Sequence, residues 1–245
     1  MAATVAIIGA LEKEVAQIYG ELEGAHMADE AGIKVACGRF AGLDVVATTA
    51  GMGTVNAAAA TQHLISRYGA GTVIFSGIAG GLNPVLHIGD VVVGACLRYL
   101  DTDTALIAES APGLEEFAST PELVDIAVAA LADRGFSPAG TADLAPDALQ
   151  FLAGTIATGD RFVTGEAMRA AAIEATHADC VEMEGAAVAH IAAKNGARCL
   201  VLRAISDNCD EAYDAFSDRE FDLESYARTA SALTLDIVRR LAEAR

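Results

Sequence analysis

The chain has 245 residues, 53% of them hydrophobic and none Trp, and its 34 acidic side chains outnumber 16 Lys and Arg to leave a net charge of −18. That length and apolar content suit one large α/β domain over residues 1–245, with a core of aliphatic and alanine packing. The acidic balance argues against nucleic acid or an anionic membrane surface as partner, since both repel an acidic face, and it disfavours a polyanionic substrate.

Thr4 to Gly9 reads as a buried strand ending at a glycine. A helix over roughly 11–22 follows, with Glu12 and Glu14 in its first turn. Acids there complement the helix dipole, worth about 0.3–1 kcal/mol each, although one of the two could instead reach over the carboxyl edge of a sheet. The single glycine of this turn lacks the companions of a dinucleotide fingerprint. Residues 32–38 and 43–49 form a hairpin pattern. Gly51, Met52 and Gly53 then lead into a helix over 55–68, the glycines allowing backbone to approach a ligand. A buried strand over 71–75 runs into the Gly-rich segment Ser76 to Gly81, read as a turn that cradles ribose or phosphate, or as a tight strand-to-loop passage.

Ile88 to Tyr99 is a long strand pattern, and Asp101 and Asp103 beyond it suit either a cation or a solvated loop. Residues 108–119 resemble an exposed lid or edge, 121–134 a helix, and 135–150 a loop. Gly154 to Gly159 is a strand and turn, followed by Phe162 and Val163 on a connection towards a helix at 165–175. Phe162 serves there either as core or as a stacking platform.

The run Val181, Glu182, Met183, Glu184 leads into an alanine-rich helix to Asn195 and Gly196. Cys199 to Ile205 is then a nearly continuous apolar run of strand length, the pattern of a strand covered on both faces. Such strands deliver polar residues to the carboxyl edge of an open α/β sheet, where ligands bind; here these are Ser206 and Asp207. Glu184, at the preceding strand-to-helix turn, faces the same rim. Two acids on one crevice suit paired acid/base work, while a helix cap for Glu184 and a turn role for Asp207 are the bland alternatives. A long amphipathic helix over 219–243 ends in arginines. The order of strands and helices predicts a single three-layer α/β/α domain around a central mixed sheet.

The five cysteines are odd in number and lack CxxC spacing, the usage of free thiols in a reducing cytosol. The histidines form no metal-ligand pair, so neither a metal nor a cofactor is expected. The N-terminus has no basic leader and the chain no apolar stretch of membrane-spanning length, so a cytoplasmic protein is expected.

The segments Ile7 to Val15, Ser76 to Leu82, Ile88 to Val93, Thr158 to Val163, Val181 to Glu184 and Arg203 to Asp207 together resemble the methylthioadenosine/S-adenosylhomocysteine nucleosidases, within the nucleoside phosphorylase superfamily. The likeness spans nearly the whole chain in order, and the Glu-Met-Glu and Ala-Ile-Ser-Asp motifs at this separation are its most specific part. It implies a nucleoside phosphorylase-like fold, a nucleoside substrate and a homodimer whose partner segment helps to close the site. It also implies roles: Asp207 as the general acid at N7 of adenine, Glu14 as the residue activating water, and Glu184 as its helper and the ligand of the ribose hydroxyls. Met183 would pack on the sugar, Ser206 support Asp207, Phe162 stack on the base and the Val163 backbone read the adenine edge. Met52, Ile78, Glu182 and Phe216 complete the implied substrate-binding set, with Tyr213 or Phe216 closing over the ligand.

Cleaving an N-glycosidic bond builds positive charge on the sugar and negative charge on the base. An acid near the base and carboxylates below the ring relieve both, protonation alone typically giving about 10²–10⁴-fold in rate. Asp207 could carry that proton near neutrality only if burial or neighbouring acids raised its pKa well above about 3.9. Phosphorolytic members of the superfamily grip phosphate with arginines at places that here hold Phe75 and Glu14. A carboxylate there repels phosphate by about 4 kcal/mol per unit-charge pair at 4 Å and an effective dielectric of 20, so water is the expected nucleophile. Tyr99, Leu100 and Asp101 depart from the family's Tyr-His-Asp, and Thr104 to Ile107 lacks its aromatic, which bears on the 5′ substituent. Lys13 and Ile78 are milder departures. The expected activity is therefore N-ribohydrolysis of a 5′-modified adenosine, with a futalosine-type hydrolase and a non-catalytic nucleoside-binding protein as alternatives.

Overall fold

A computed structural model of the chain describes residues 4–145, 147–210 and 220–244. In chain order the first half runs β1 (Thr4–Gly9), α1 (Glu12–Glu21), β2 (Glu23–Glu30), β3 (Ile33–Phe40), β4 (Leu43–Thr49), α2 (Thr54–Tyr68), β5 (Ala70–Gly81), β6 (Val91–Tyr99) and α3 (Thr104–Ala108). The second half runs β7 (Phe117–Ala118), α4 (Pro121–Asp133), β8 (Ser137–Pro138), β9 (Gln150–Thr158), α5 (Glu166–Thr176), β10 (Cys180–Glu182), α6 (Gly185–Asn195), β11 (Arg198–Asp207) and α7 (Glu220–Glu243).

The strands form one mixed sheet in the order β10-β9-β6-β11-β5-β1-β4-β3-β2, with β7 added to β6 and β8 to β9. β10 runs parallel to β9 and also pairs antiparallel with β5, so the strands β5, β11, β6, β9 and β10 close on themselves. The other side of β5 continues as an open sheet through β1 and β4 to the edge strand β2.

Strand alternation distributes the core onto two faces. Ala6 and Ile8 of β1, Val73 and Phe75 of β5, and Cys199, Val201 and Ile205 of β11 pack with α2 and α6. The intervening Val5, Ile7, Ile74, Leu200 and Leu202 pack with α1, α4 and α7. Helices therefore cover both faces of the mixed sheet, as the sequence pattern predicts. Alanine at Ala57, Ala60, Ala186, Ala187 and Ala189 brings α2 and α6 close to the strands.

Several expectations change. The Gly-rich segment Ser76 to Gly81 is not a turn but the second half of β5, with Gly80 and Gly81 paired to Val181 and Cys180. Its glycines give clearance to side chains: a Cβ on Gly77 would lie 2.5 Å from Glu14 Oε1, and one on Gly80 would collide with the Cys209 thiol. The edge strand β2 was not expected, because Glu23 to Glu30 contains no β-branched residue and is largely exposed. The strand expected from Ile88 begins at Val91, since Asp90 turns the chain first, accepting from the His87 amide at 2.7 Å and the Gln150 amide at 2.6 Å. The segment read as an exposed lid over 108–119 ends in the short strand β7, and the expected loop over 135–150 contains β8. Four of the five cysteines are buried and all are free. Among the described residues no helix is long and apolar enough to cross a membrane.

Candidate active site

A cavity of about 600 Å³ opens at the carboxyl ends of β1, β5, β10 and β11. Glu14, Met52, Ile78, Phe162, Val163, Glu182, Met183, Glu184, Ser206 and Asp207 all line it. These ten positions, named from the sequence, come from segments spread over most of the chain and are brought together on one cavity wall. Phe216, and Tyr213 named beside it, lie outside the described residues.

Glu14 is placed by α1. Its Oε2 accepts from the amides of Ala10 (2.7 Å) and Leu11 (2.8 Å), and Oε1 from the amide of Ile78 (3.2 Å). Glu14 therefore caps its own helix and occupies the cleft at once, while Glu12 turns outward to Thr49, whose hydroxyl donates to it at 2.9 Å. Ser231 of α7 donates to the Glu14 carbonyl at 2.6 Å and pins the backbone beneath. Burial raises the Glu14 pKa, against the opposing pull of the Arg203 charge and of its three backbone donors.

Glu184 stands at the start of α6. Its Oε1 accepts from the amide of Gly53 at 2.7 Å, and its Oε2 lies 3.9 Å from the Arg203 guanidinium. Burial, reinforced by the neighbouring Glu182 charge, pushes its pKa up to about 8. Glu182 itself is fully engaged by the protein: by Arg203, by the Thr158 hydroxyl, and by the amides of Glu184 (3.0 Å) and Gly185 (2.7 Å). Glu182 lines the cavity while its carboxylate is held by these internal partners and pairs with Arg203.

Arg203 is the residue that the sequence reading missed. It is 1% exposed, stacks over the Phe75 ring at 4.2 Å, and faces Glu182 and Glu184. An arginine inside the apolar run Cys199 to Ile205 was the available signal, because a buried guanidinium requires acids nearby. Phe75 thus supports a cation from below, and Arg203 is supplied from β11.

At the end of β11 the Cys209 amide donates to Asp207 Oδ1 at 2.7 Å. The Ser206 hydroxyl has one proton and two acceptors in reach, Asp207 Oδ2 at 2.8 Å and the Ala79 carbonyl at 3.2 Å. Phe162 is half-buried and Val163 buried, both on the cavity wall. Met52 is 52% exposed at the rim. Asp103 caps α3 and Asp101 accepts from the Asp160 amide at 3.2 Å, so both serve local structure; no acid, His or Cys group among the described residues has metal-site geometry.

Two buried carboxylates with raised pKa values, a buried arginine and a third acid on the facing strand end can hold a polar ring, orient a water and exchange protons. The model of the Phosphorylase superfamily matches residues 4–241. The 5'-methylthioadenosine/S-adenosylhomocysteine nucleosidase of Bacillus subtilis (strain 168) is 34% identical over 242 residues, covering 96% of this chain and 98% of that protein. Among solved structures, the S-adenosylhomocysteine nucleosidase of Streptococcus pyogenes in complex with 5-methylthiotubericidin aligns with a TM-score of 0.85 at 26% identity, over 98% of both chains. The futalosine hydrolase of Helicobacter pylori aligns with a TM-score of 0.84 at 26% identity, over 98% of this chain and 99% of that one.

Proposed function

The chain belongs to the Phosphorylase superfamily, and from that premise we propose that it is an N-ribohydrolase that releases adenine from a 5′-modified adenosine, methylthioadenosine or S-adenosylhomocysteine. The observation that carries the reading is the convergence of Glu14, Glu184 and Asp207 on one cavity beside Arg203.

In this reading Phe162 and Val163 receive the base and Asp207 protonates N7. The Ser206 hydroxyl, between Asp207 Oδ2 and the Ala79 carbonyl, supports Asp207 in that position. Glu184 takes the ribose hydroxyls, Met183 packs on the sugar, and Glu14 draws a proton from the attacking water. As the bond breaks, the carboxylates lie under the developing positive charge of the sugar. Glu182 keeps Arg203 paired and in place. The acids of the cleft oppose a phosphate nucleophile. A homodimer closing the cleft, a cytoplasmic location and a place in methionine salvage belong to the same proposal.

The likeness to a futalosine hydrolase sustains a second substrate, a nucleoside with a larger 5′ substituent. Chromatography of products from methylthioadenosine, S-adenosylhomocysteine, futalosine and inosine separates the readings. Adenine release from the first two, at a rate indifferent to added phosphate and with free sugar as coproduct, is expected. Preferential release of hypoxanthine from futalosine would favour the second substrate. A phosphorylated sugar would refute hydrolysis, and tight adenine binding without turnover would leave a binding protein.

A further inference from the structure

Gly53 and Thr54 present two successive amides at the start of α2, and each donates to a different carboxylate. The Gly53 amide donates to Glu184 Oε1 at 2.7 Å, and the Thr54 amide to Asp160 Oδ1 at 2.7 Å. The Thr54 hydroxyl adds a second bond to Asp160, to Oδ2 at 2.6 Å. The Asp160 amide in turn donates to Asp101 Oδ2 at 3.2 Å, which ties this loop to the segment after β6.

This arrangement is unusual for a helix start. The N-cap position of α2 is Gly53, at φ +96°, a conformation that side chains strongly resist. A local Ser, Thr, Asp or Asn cap is thereby excluded, although such a cap is the common solution. Asp160 supplies it from a distant segment. The backbone turn that leaves no local cap is the one that carries the Glu184 donor. Asp160 also sits two residues before Phe162, so its side chain ties the segment that carries Phe162 to the one that carries the Gly53 amide.

We propose that Asp160, through its paired bonds to Thr54, is a positioning residue that holds the Gly53 amide on Glu184, and so sets the geometry and ionisation of that carboxylate for hydrolysis. The inference rests on the nucleosidase reading given above. The Gly53 amide favours the ionised form of Glu184, together with Arg203, while burial and the charges of Glu182 and Glu14 favour the protonated form. Releasing the amide removes one of the two groups that hold the carboxylate ionised, so the pKa of Glu184 moves further up.

The test compares wild type with Asp160→Ala, Asp160→Asn and Thr54→Val. Asp160→Ala is expected to lower kcat about 10–100-fold, the range for a small misplacement of a reacting group, with KM changed far less. The alkaline-going rise of activity should move to higher pH in that variant. Asp160→Asn keeps an acceptor for the Thr54 amide and should recover most of the rate; Thr54→Val keeps the amide bond alone and should fall between. Carbon-13 NMR titration of Glu184 reads the same shift without turnover. An inactive wild type with the Glu184 shift still present would count against the nucleosidase reading and leave the positioning contact standing. Wild-type kcat in Asp160→Ala, or a loss matched by unfolding on thermal melting with an unmoved Glu184 titration, would overturn the inference.

Discussion

Burial raises the pKa of Glu184 from 4.5 to about 8, so the folded protein keeps a proton there that the unfolded chain gives up. The sign follows directly. Between those two values the folded state binds more protons, so this group's contribution to stability is fully present below the unfolded pKa and is lost as pH rises through the folded one. One such proton is worth about 1.4 kcal/mol per pH unit at most. Glu184→Gln, neutral throughout, should therefore melt with a shallower loss of stability from about pH 5 to about pH 8 than wild type; equal slopes would contradict the protonated resting state. Asp207 belongs to a different part of the chemistry. Asp207→Asn preserves the side chain's shape and should still bind adenine, yet lower kcat by orders of magnitude, because the proton for the leaving base is gone. Full activity in that variant would remove Asp207 from its role. Residue identity alone was a partial guide at this scale. Glu184 and Asp207 were singled out by their places at strand ends, whereas position left Glu14 level with Glu12 and only the resemblance separated the two. Arg203 was not singled out, because its neighbours made the whole segment read as apolar core, and the internal partners of Glu182, Thr158 and Arg203, were not legible because they are distant in sequence.

Elements were legible in proportion to how strongly their own residues declare them. β11 was read from Cys199 to Ile205 because two covered faces demand an unbroken apolar run. β2 was invisible, because an exposed edge strand needs no such run and its pairing is set by β3 alone. The C-terminal half of β5 misled for a different reason: a Gly-rich run in which five of six residues are small reads as a turn, while tertiary pairing to β10 and β11 holds it extended. That difference has a measurable consequence at Gly77. A methyl there would stand 2.5 Å from Glu14 Oε1 and 3.0 Å from its Cδ, with the carboxylate already fixed by three amides. Gly77→Ala is thus expected to push Glu14 aside and lower kcat by about 100-fold, the scale of an ångström's misplacement. A turn could absorb the methyl by local adjustment. An unchanged kcat would mean that β5 yields there as a turn would.

At the scale of the whole molecule, the mixed sheet with helices on both faces was predictable from the alternation of elements, and its closure was not. Nothing in Cys180 to Glu182 announces that a three-residue strand pairs on both sides, since the second pairing depends on how far β5 extends. Closure has a consequence for how activity can be lost. The ring of β5, β11, β6, β9 and β10 carries Ile78, Glu182, Ser206 and Asp207, and the hydrogen bonds that join it have no open end from which to fray. The margin formed by β2 and β3 has such an end and holds none of the cleft residues. Opening of the peripheral hairpin is consequently compatible with a functional cleft, whereas parting β10 or β11 from the ring displaces Glu182 or Asp207 directly. The outer margin can breathe without disturbing the strands that carry these acids.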